Sequence, residues 1–271
     1  MDLNLTGQSV LVTGGSRGIG LAIARAFAAE GCRLQLSSRD AVALEAAKDD
    51  IIRQFSVQVD FHRFDLAEPG AADRLAADAG DVDILVNCAG AIPQSTLLGI
   101  SEDEWRKAWE LKVFGYINLS RSVYRRMVSR RSGVIINIVG IAGEHPAPAY
   151  IVGCSGNAAL LSFSQALGVE SVNHCIRVIA INPGATETDR QMNRWKARAK
   201  TELGDERCWR ELTTGFPFGR LAKPGEIADV VAFMASERAG YVSGAVITVD
   251  GGAGFRREQF SGVGQRDVRK R

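Results

Sequence analysis

Short apolar runs rich in β-branched residues alternate along the chain with longer stretches whose apolar positions recur at steps of three and four. The first pattern predicts strands and the second amphipathic helices. Strands are expected at 9–13, 33–37, 57–63, 84–88, 134–139, 177–182 and 246–249, and helices near 18–30, 41–55, 71–79, 102–131, 150–172 and 225–234. Asp40 and Ser101 stand where two of these helices need an N-cap. Strict alternation of strand and helix predicts an α/β, doubly wound Rossmann fold, with a seven-stranded mainly parallel sheet flanked by helices. No repeat interrupts the pattern. The one long stretch between elements, 185–223, reads as an insertion over a site rather than a second domain. A single domain over 1–253 is expected, followed by a tail at 254–271.

Composition narrows the class. With 46% hydrophobic and 24% charged residues among 271, the chain has the makeup of a globular domain and not of a disordered one. The net charge of +2 hides an asymmetry, because the tail holds six basic residues against Glu258 and Asp267, which leaves the body at −2. A body of that charge does not imply a strongly basic nucleic-acid face, and no nucleic-acid partner is expected. The tail reads as a solvated extension, with a partner- or phosphate-binding arm as the alternative. Five cysteines, Cys32, Cys88, Cys154, Cys175 and Cys208, form no C-x-x-C pair, so neither a metal site nor a disulfide framework is expected. The start Met1-Asp2-Leu3-Asn4 lacks a signal-peptide pattern, and no apolar run approaches the ~20 residues a bilayer requires. A cytoplasmic protein without a membrane partner is the expectation.

The first strand runs into Thr13-Gly14-Gly15-Ser16-Arg17-Gly18-Ile19-Gly20 and then an alanine-rich helix. Glycines there allow a tight turn, close approach of backbone to a pyrophosphate, and close packing of helix on strand, with the anion at the helix N-terminus. At the end of strand two an acidic residue would accept from the 2′-hydroxyl of NAD. This chain instead has Ser37-Ser38-Arg39. Arg39 and Arg17 therefore predict a two-cation clamp on a 2′-phosphate, and NADP(H) as the cofactor.

Together with Asp65-Leu66 after strand three, Asn87-Cys88-Ala89-Gly90 after strand four, Asn182-Pro183-Gly184 after strand six and the closing Val249-Asp250-Gly251-Gly252, these residues resemble the classical short-chain dehydrogenases/reductases from roughly Leu5 to Gly252. The resemblance implies cofactor contacts from Gly14, Ser16, Arg17, Gly18, Ile19 and Gly20, from Ser38 and Arg39, and from Asp65 and Leu66 around the adenine. It further implies Asn87, Ala89 and Gly90 on the adenine-ribose side, and Pro183, Gly184, Thr186 and Thr188 at the nicotinamide. A homo-oligomer, tetramer or dimer, built on the helices near 102–131 and 150–172 is also implied.

The same resemblance calls for a Tyr acid/base, a Lys four residues later, a Ser thirteen before the Tyr, and an Asn on the preceding helix. Those positions hold Gly153, Asn157, Gly140 and Lys112. A decayed site would leave four unrelated replacements. Here Lys and Asn have exchanged places, and Tyr150 lies three residues before Gly153, a neighbouring position on a helix. Its separation of seven from Asn157 resembles the Tyr-to-Lys spacing of the divergent enoyl-reductase branch. The expectation is that Tyr150 moves the proton, that Lys112 replaces the usual lysine and lowers the phenol pKa from ~10, and that Asn157 bridges to ribose or water. His145 or Ser155 would supply the missing donor to the carbonyl.

The insertion places Arg190, Arg194 and Arg198 at steps of four, one helical face. This fits an anionic small-molecule substrate or a solvated basic face. Ile92-Pro93, Ala147, Pro148 and Ile151 offer a partly apolar wall. The function expected is NADP(H)-dependent hydride transfer between the nicotinamide and a carbonyl or hydroxyl carbon. A non-redox dehydratase, isomerase or lyase, and a non-catalytic NADPH-binding regulator, are the alternatives.

Overall fold

Seven strands, all parallel, join one sheet in the order β3-β2-β1-β4-β5-β6-β7 in the computed structural model, which describes residues 2–256. They are β1 (Ser9–Thr13), β2 (Arg33–Ser38), β3 (Val59–Arg63), β4 (Ile84–Asn87), β5 (Gly133–Ile138), β6 (Ile176–Pro183) and β7 (Val246–Val249). The helices between them are α1 (Gly18–Ala29), α2 (Ala41–Gln54), α3 (Ala71–Ala79), α4 (Glu102–Trp109), α5 (Gly115–Arg130), α6 (Ile151–Ser171), α7 (Asp189–Leu203) and α8 (Pro224–Ala235). The expected doubly wound fold is what the chain forms.

Burial on both faces explains why the strands read as near-continuous apolar runs. Val10 and Val12 of β1 enter the cluster shared with α1, α2 and α8, whereas Leu11 between them enters the cluster built by α3 and α5. Ile136 and Ile138 of β5 face the first cluster and Ile135 the second, so the two-residue period assigns each side chain to a layer. Phe27 and Ile23 of α1 are fully buried against the sheet. Truncating Phe27 to Ala would cost about 3–5 kcal/mol.

Helix starts follow the expected caps. Asp40 accepts from Ala43 N, and Ser101 forms a reciprocal capping box with Glu104. Two boundaries differ from expectation, and both bear on the site. The helix expected over 102–131 is broken by a π turn at Glu110–Phe114, which carries Lys112. The helix expected from Tyr150 starts at Ile151, because Pro148 opens a short 3₁₀ turn that leaves Tyr150 at φ −139°, ψ 34°, outside the helix. The 185–223 insertion is more regular than a loop, since it contains α7, whose start Thr188 caps by accepting from Gln191 N.

Parallel order puts the topological switch point between β1 and β4, where connections leave toward opposite sheet faces. Thr13 Oγ1 ties the two strands there by accepting from Cys88 N at 3.0 Å and Ala89 N at 3.2 Å.

Candidate active site

At that switch point opens a cavity of about 1040 Å³, lined by the β1–α1 loop, the ends of β2, β4 and β5, the Lys112 turn, Tyr150, and the start of α7. Its floor is built by glycine. Gly14 has φ +67°, and a Cβ there would stand 3.0 Å from Ala89 Cα. A Cβ on Gly20 would overlap the Gly14 carbonyl, so helix and loop approach as closely as backbone allows. No side chain caps the first turn of α1, and that turn carries no acidic residue. Its free N–H groups face the cavity, which is what a pyrophosphate requires.

Arg17, Ser38 and Arg39 line the adenosine end, with Asp40 beside them. Arg17 pairs with Asp40 at 2.8 Å and Arg39 with Asp65 at 3.4 Å. Exposed pairs of this kind hold ~0–1 kcal/mol each, so either cation can turn to a phosphate at little cost. Ser16, Gly18, Ile19, Leu66, Ala89, Gly90, Pro183 and Thr188 also line the cavity.

Several expected contacts lie elsewhere. Asn87 is fully buried, and its amide nitrogen donates to Ser120 Oγ at 3.0 Å and to Asn137 Oδ1 at 2.9 Å. Its side chain therefore braces β4 against β5 and α5 instead of lining the ribose side. Asp65 receives Ala67 N on one oxygen and Arg39 on the other, and does not line the cavity. Thr186 is buried, donating to Gly184 O at 3.0 Å, and Gly184 lines a second cavity of about 720 Å³.

At the nicotinamide end, Lys112 is 8% exposed and lines the cavity. Its ammonium donates to Ile138 O at 2.8 Å, Val139 O at 3.2 Å and Tyr116 Oη at 3.2 Å. Burial, partly offset by Cys88 and reinforced by Arg190, pushes its pKa down to about 8. Tyr116, one turn along the same face, donates to Ile138 O at 3.0 Å, and burial raises its phenol well above the usual value. Tyr116 was not singled out in the sequence, although its i+4 spacing from Lys112 was a usable signal.

Tyr150 also lines the cavity, and its ring folds back over Gly153. A Cβ on Gly153 would fall inside that ring, overlapping Cζ, Cε1 and Cε2. The missing side chain at 153 is thus the space the phenol occupies. Among the described residues nothing hydrogen-bonds the Tyr150 hydroxyl. Burial raises its pKa, while Arg190 and then Arg194 pull it down. Lys112 is not among the groups acting on it; the lysine's charge is turned toward the carbonyls of Ile138 and Val139 at the end of β5. The expected depression of the phenol by Lys112 is not found: burial leaves the phenol above its ordinary value, and Arg190 and Arg194 offset only part of that rise.

Gly140 stands between the two amides of the site. Its N donates to Asn182 Oδ1 at 3.1 Å, and its carbonyl accepts from Asn157 Nδ2 at 3.3 Å. Asn157 Oδ1 and Asn182 Nδ2 are buried with no partner among the described residues. An orphaned acceptor and donor at this depth fit a ribose hydroxyl or an ordered water. Asn157 itself lies behind Gly140 and does not line the cavity. Ser155 donates to Ile151 O and Val152 O within its own helix, and His145 lines the second cavity against Phe255. Neither reaches the carbonyl position expected of it.

The three arginines of α7 have different fates. Arg190 donates to Gly90 O at 3.2 Å and Ile92 O at 2.8 Å, pinning α7 over the cavity. Arg198 pairs with Glu202 at 2.6 Å and lies over Trp195. Arg194 lines the cavity and is half-buried. Among the described residues no group of three or more His, Cys, Asp or Glu could hold a metal ion, and no helix is long and apolar enough to cross a membrane. The tail beyond Arg256, expected to be a solvated extension, lies outside the described residues.

Comparison with known proteins agrees with this geometry. Residues 8–199 match the short chain dehydrogenase family. The chain is 33% identical to the 3-oxoacyl-(acyl-carrier-protein) reductase FabG of Chlamydia trachomatis, over 92% of this chain and 98% of that protein. It is 32% identical to the 2,3-dihydro-2,3-dihydroxybenzoate dehydrogenase of Bacillus subtilis, over 92% and 97%. The L-sorbose reductase of Gluconobacter frateurii, solved with NADPH and L-sorbose, superposes with a TM-score of 0.89 at 34% identity, covering 93% of this chain and 98% of that one. The chain belongs to the short-chain dehydrogenases/reductases.

Proposed function

We propose that the protein is an NADP(H)-dependent oxidoreductase transferring hydride between the nicotinamide and a carbonyl or hydroxyl carbon of a small molecule, through a rearranged active site. The observation that carries this reading is the Tyr150 ring filling the hollow at Gly153 while lining the same cavity as Lys112. A cofactor preference for the phosphorylated form is supported by Arg17 and Arg39 at the adenosine end, by Ser37-Ser38 in place of a carboxylate, and by a structural neighbour solved with NADPH.

When bound, the nicotinamide supplies or accepts hydride. The chain's own residues do the rest. The uncapped turn of α1 holds the pyrophosphate, and Arg17 and Arg39 hold the 2′-phosphate. Tyr150 delivers a proton from its free hydroxyl to the carbonyl oxygen, and Arg190 favours the phenolate that results. Lys112 presents a cation at the floor, where it can turn from the Ile138 and Val139 carbonyls to the ribose hydroxyls. Asn157, behind Gly140, offers its orphaned oxygen to an ordered water. The assembly is proposed to be a homo-oligomer, tetramer or dimer, through the faces of α4, α5 and α6.

The test is stoichiometric consumption of NADPH with a panel of ketones and aldehydes, for the wild type and Tyr150→Phe. Turnover by the wild type and its loss in the variant, at an NADPH Kd within a few-fold of wild type, is the expected result. Product formed without NADPH consumption would place the protein among non-redox enzymes, and NADPH binding without any turnover would make it a regulator.

A further inference from the structure

Helix α7 carries a cation that the reaction as proposed does not use. From α7, Arg190, Asn193 and Arg194 all line the nicotinamide end of the cavity, positions related by steps of three and four and so sharing one face. Arg190 is occupied by two backbone carbonyls. Arg194 is half-buried and, among the described residues, donates no hydrogen bond and pairs with no carboxylate. A guanidinium brought out of water without a partner is an unfavourable arrangement unless a ligand completes it. Its planar fork, with the Asn193 amide one position away, suits a carboxylate held on two parallel N–H bonds. Tyr150 stands close enough that burial of Arg194 is partly relieved by it and its own phenol is pulled down by Arg194.

We infer that the substrate is an oxo acid or hydroxy acid, its carboxylate seated on Arg194 and Asn193 while its carbonyl or carbinol oxygen meets Tyr150. This rests on the proposed hydride transfer and names the substrate class it serves. The carboxylate neutralises Arg194, which leaves the phenol protonated until hydride arrives and keeps Arg190 as the cation nearest the developing phenolate. In the reductive direction hydride adds to the carbonyl carbon, the C=O bond becomes C–O–H with the proton from Tyr150, NADPH becomes NADP⁺, and water restores the phenol.

Matched acid and ester pairs read the site: acetoacetate against ethyl acetoacetate, and 4-carboxybenzaldehyde against methyl 4-formylbenzoate. Two measurements are made on the full chain, kcat/KM with NADPH and calorimetric binding to the NADP⁺-loaded protein. Each acid is expected to exceed its ester by at least about tenfold, the strength of a charge-assisted bidentate contact. Arg194→Met is expected to bring that ratio to about one while NADPH affinity stays within about threefold. Esters equal to acids, binding of neither, or a loss of NADPH affinity above about tenfold in Arg194→Met, which would assign the guanidinium to the cofactor, each overturn the inference. Acids that bind preferentially without any turnover would uphold the anion site and defeat the hydride-transfer reading instead.

Discussion

Replacing Lys112 by Met should remove a pH dependence of stability that the buried charge gives the wild type. The lysine is desolvated in the folded chain, with its pKa brought from 10.5 to about 8, and solvated in the unfolded one. Between those values the unfolded state binds more protons than the native state, so stability rises as pH climbs through 8 and levels off near 10.5. Below pH 8 both states are protonated, and the native state carries the whole penalty, about 3 kcal/mol at ~1.36 kcal/mol per pH unit. From pH 7 to 9.5 roughly 2 kcal/mol of it is relieved. Lys112→Met lacks this term and keeps every other titrating group, so the wild type should gain about 2 kcal/mol on the variant across that window. The hydrogen bonds to Ile138 O and Val139 O shift the offset between the proteins at pH 7, but not the slope. Urea unfolding at fixed protein concentration measures it, and a chain of this size should show a relative Tm change of roughly 4–8 °C. Parallel pH profiles for the two proteins would refute the claim that this ammonium is buried.

Gly153→Ala should expel the Tyr150 ring, because the new methyl overlaps Cζ; activity is expected to fall by about 100-fold, the scale of lost general acid catalysis, with NADPH Kd little changed. Wild-type turnover in that variant would show that the ring's position is irrelevant. Arg39→Ala should weaken NADPH binding by roughly tenfold or more and leave NADH binding unaltered, since one phosphate contact is lost; fluorescence titration with both cofactors decides it. Asn87→Ala should cost about 2–3 kcal/mol in denaturant unfolding by leaving Asn137 Oδ1 and Ser120 short of a partner, and a loss confined to NADPH affinity would instead return Asn87 to the cofactor.

The fold was legible because its signals are local. β1 is buried on both sides around the apolar run Val10-Leu11-Val12, Asp40 and Ser101 announce their helices, and the β1–α1 loop carries glycine where its left-handed turn excludes other residues. The cofactor cradle was legible for the same reason. What failed to show was anything decided by side-chain direction. Asn87 sits in the right loop, but its amide turns inward to Asn137, a choice made by a partner fifty residues away. The helix over 102–131 kept its period through the π turn that aims Lys112 at β5, so periodicity could not reveal it. Arg190, Arg194 and Arg198 look equivalent at steps of four, and only the carbonyls of Gly90 and Ile92 and the carboxylate of Glu202 separate a strut, an unpaired cation and a surface ion pair. Tyr150 stands three residues before Gly153 in the sequence, yet its position depends on Pro148 opening a 3₁₀ turn that delays the helix to Ile151 and on the space at Gly153.

The central claim is that a phenol from outside the usual position serves the nicotinamide. A crystal structure of the protein with NADP⁺ and a substrate carboxylic acid tests it most directly, through the distances from Tyr150 Oη and Lys112 Nζ. The account predicts Tyr150 Oη within hydrogen-bonding reach, about 2.6–3.2 Å, of a substrate oxygen over C4, and Lys112 Nζ at the ribose hydroxyls. A Tyr150 ring turned away from C4, with Lys112 still on Ile138 and Val139 alone, would contradict it.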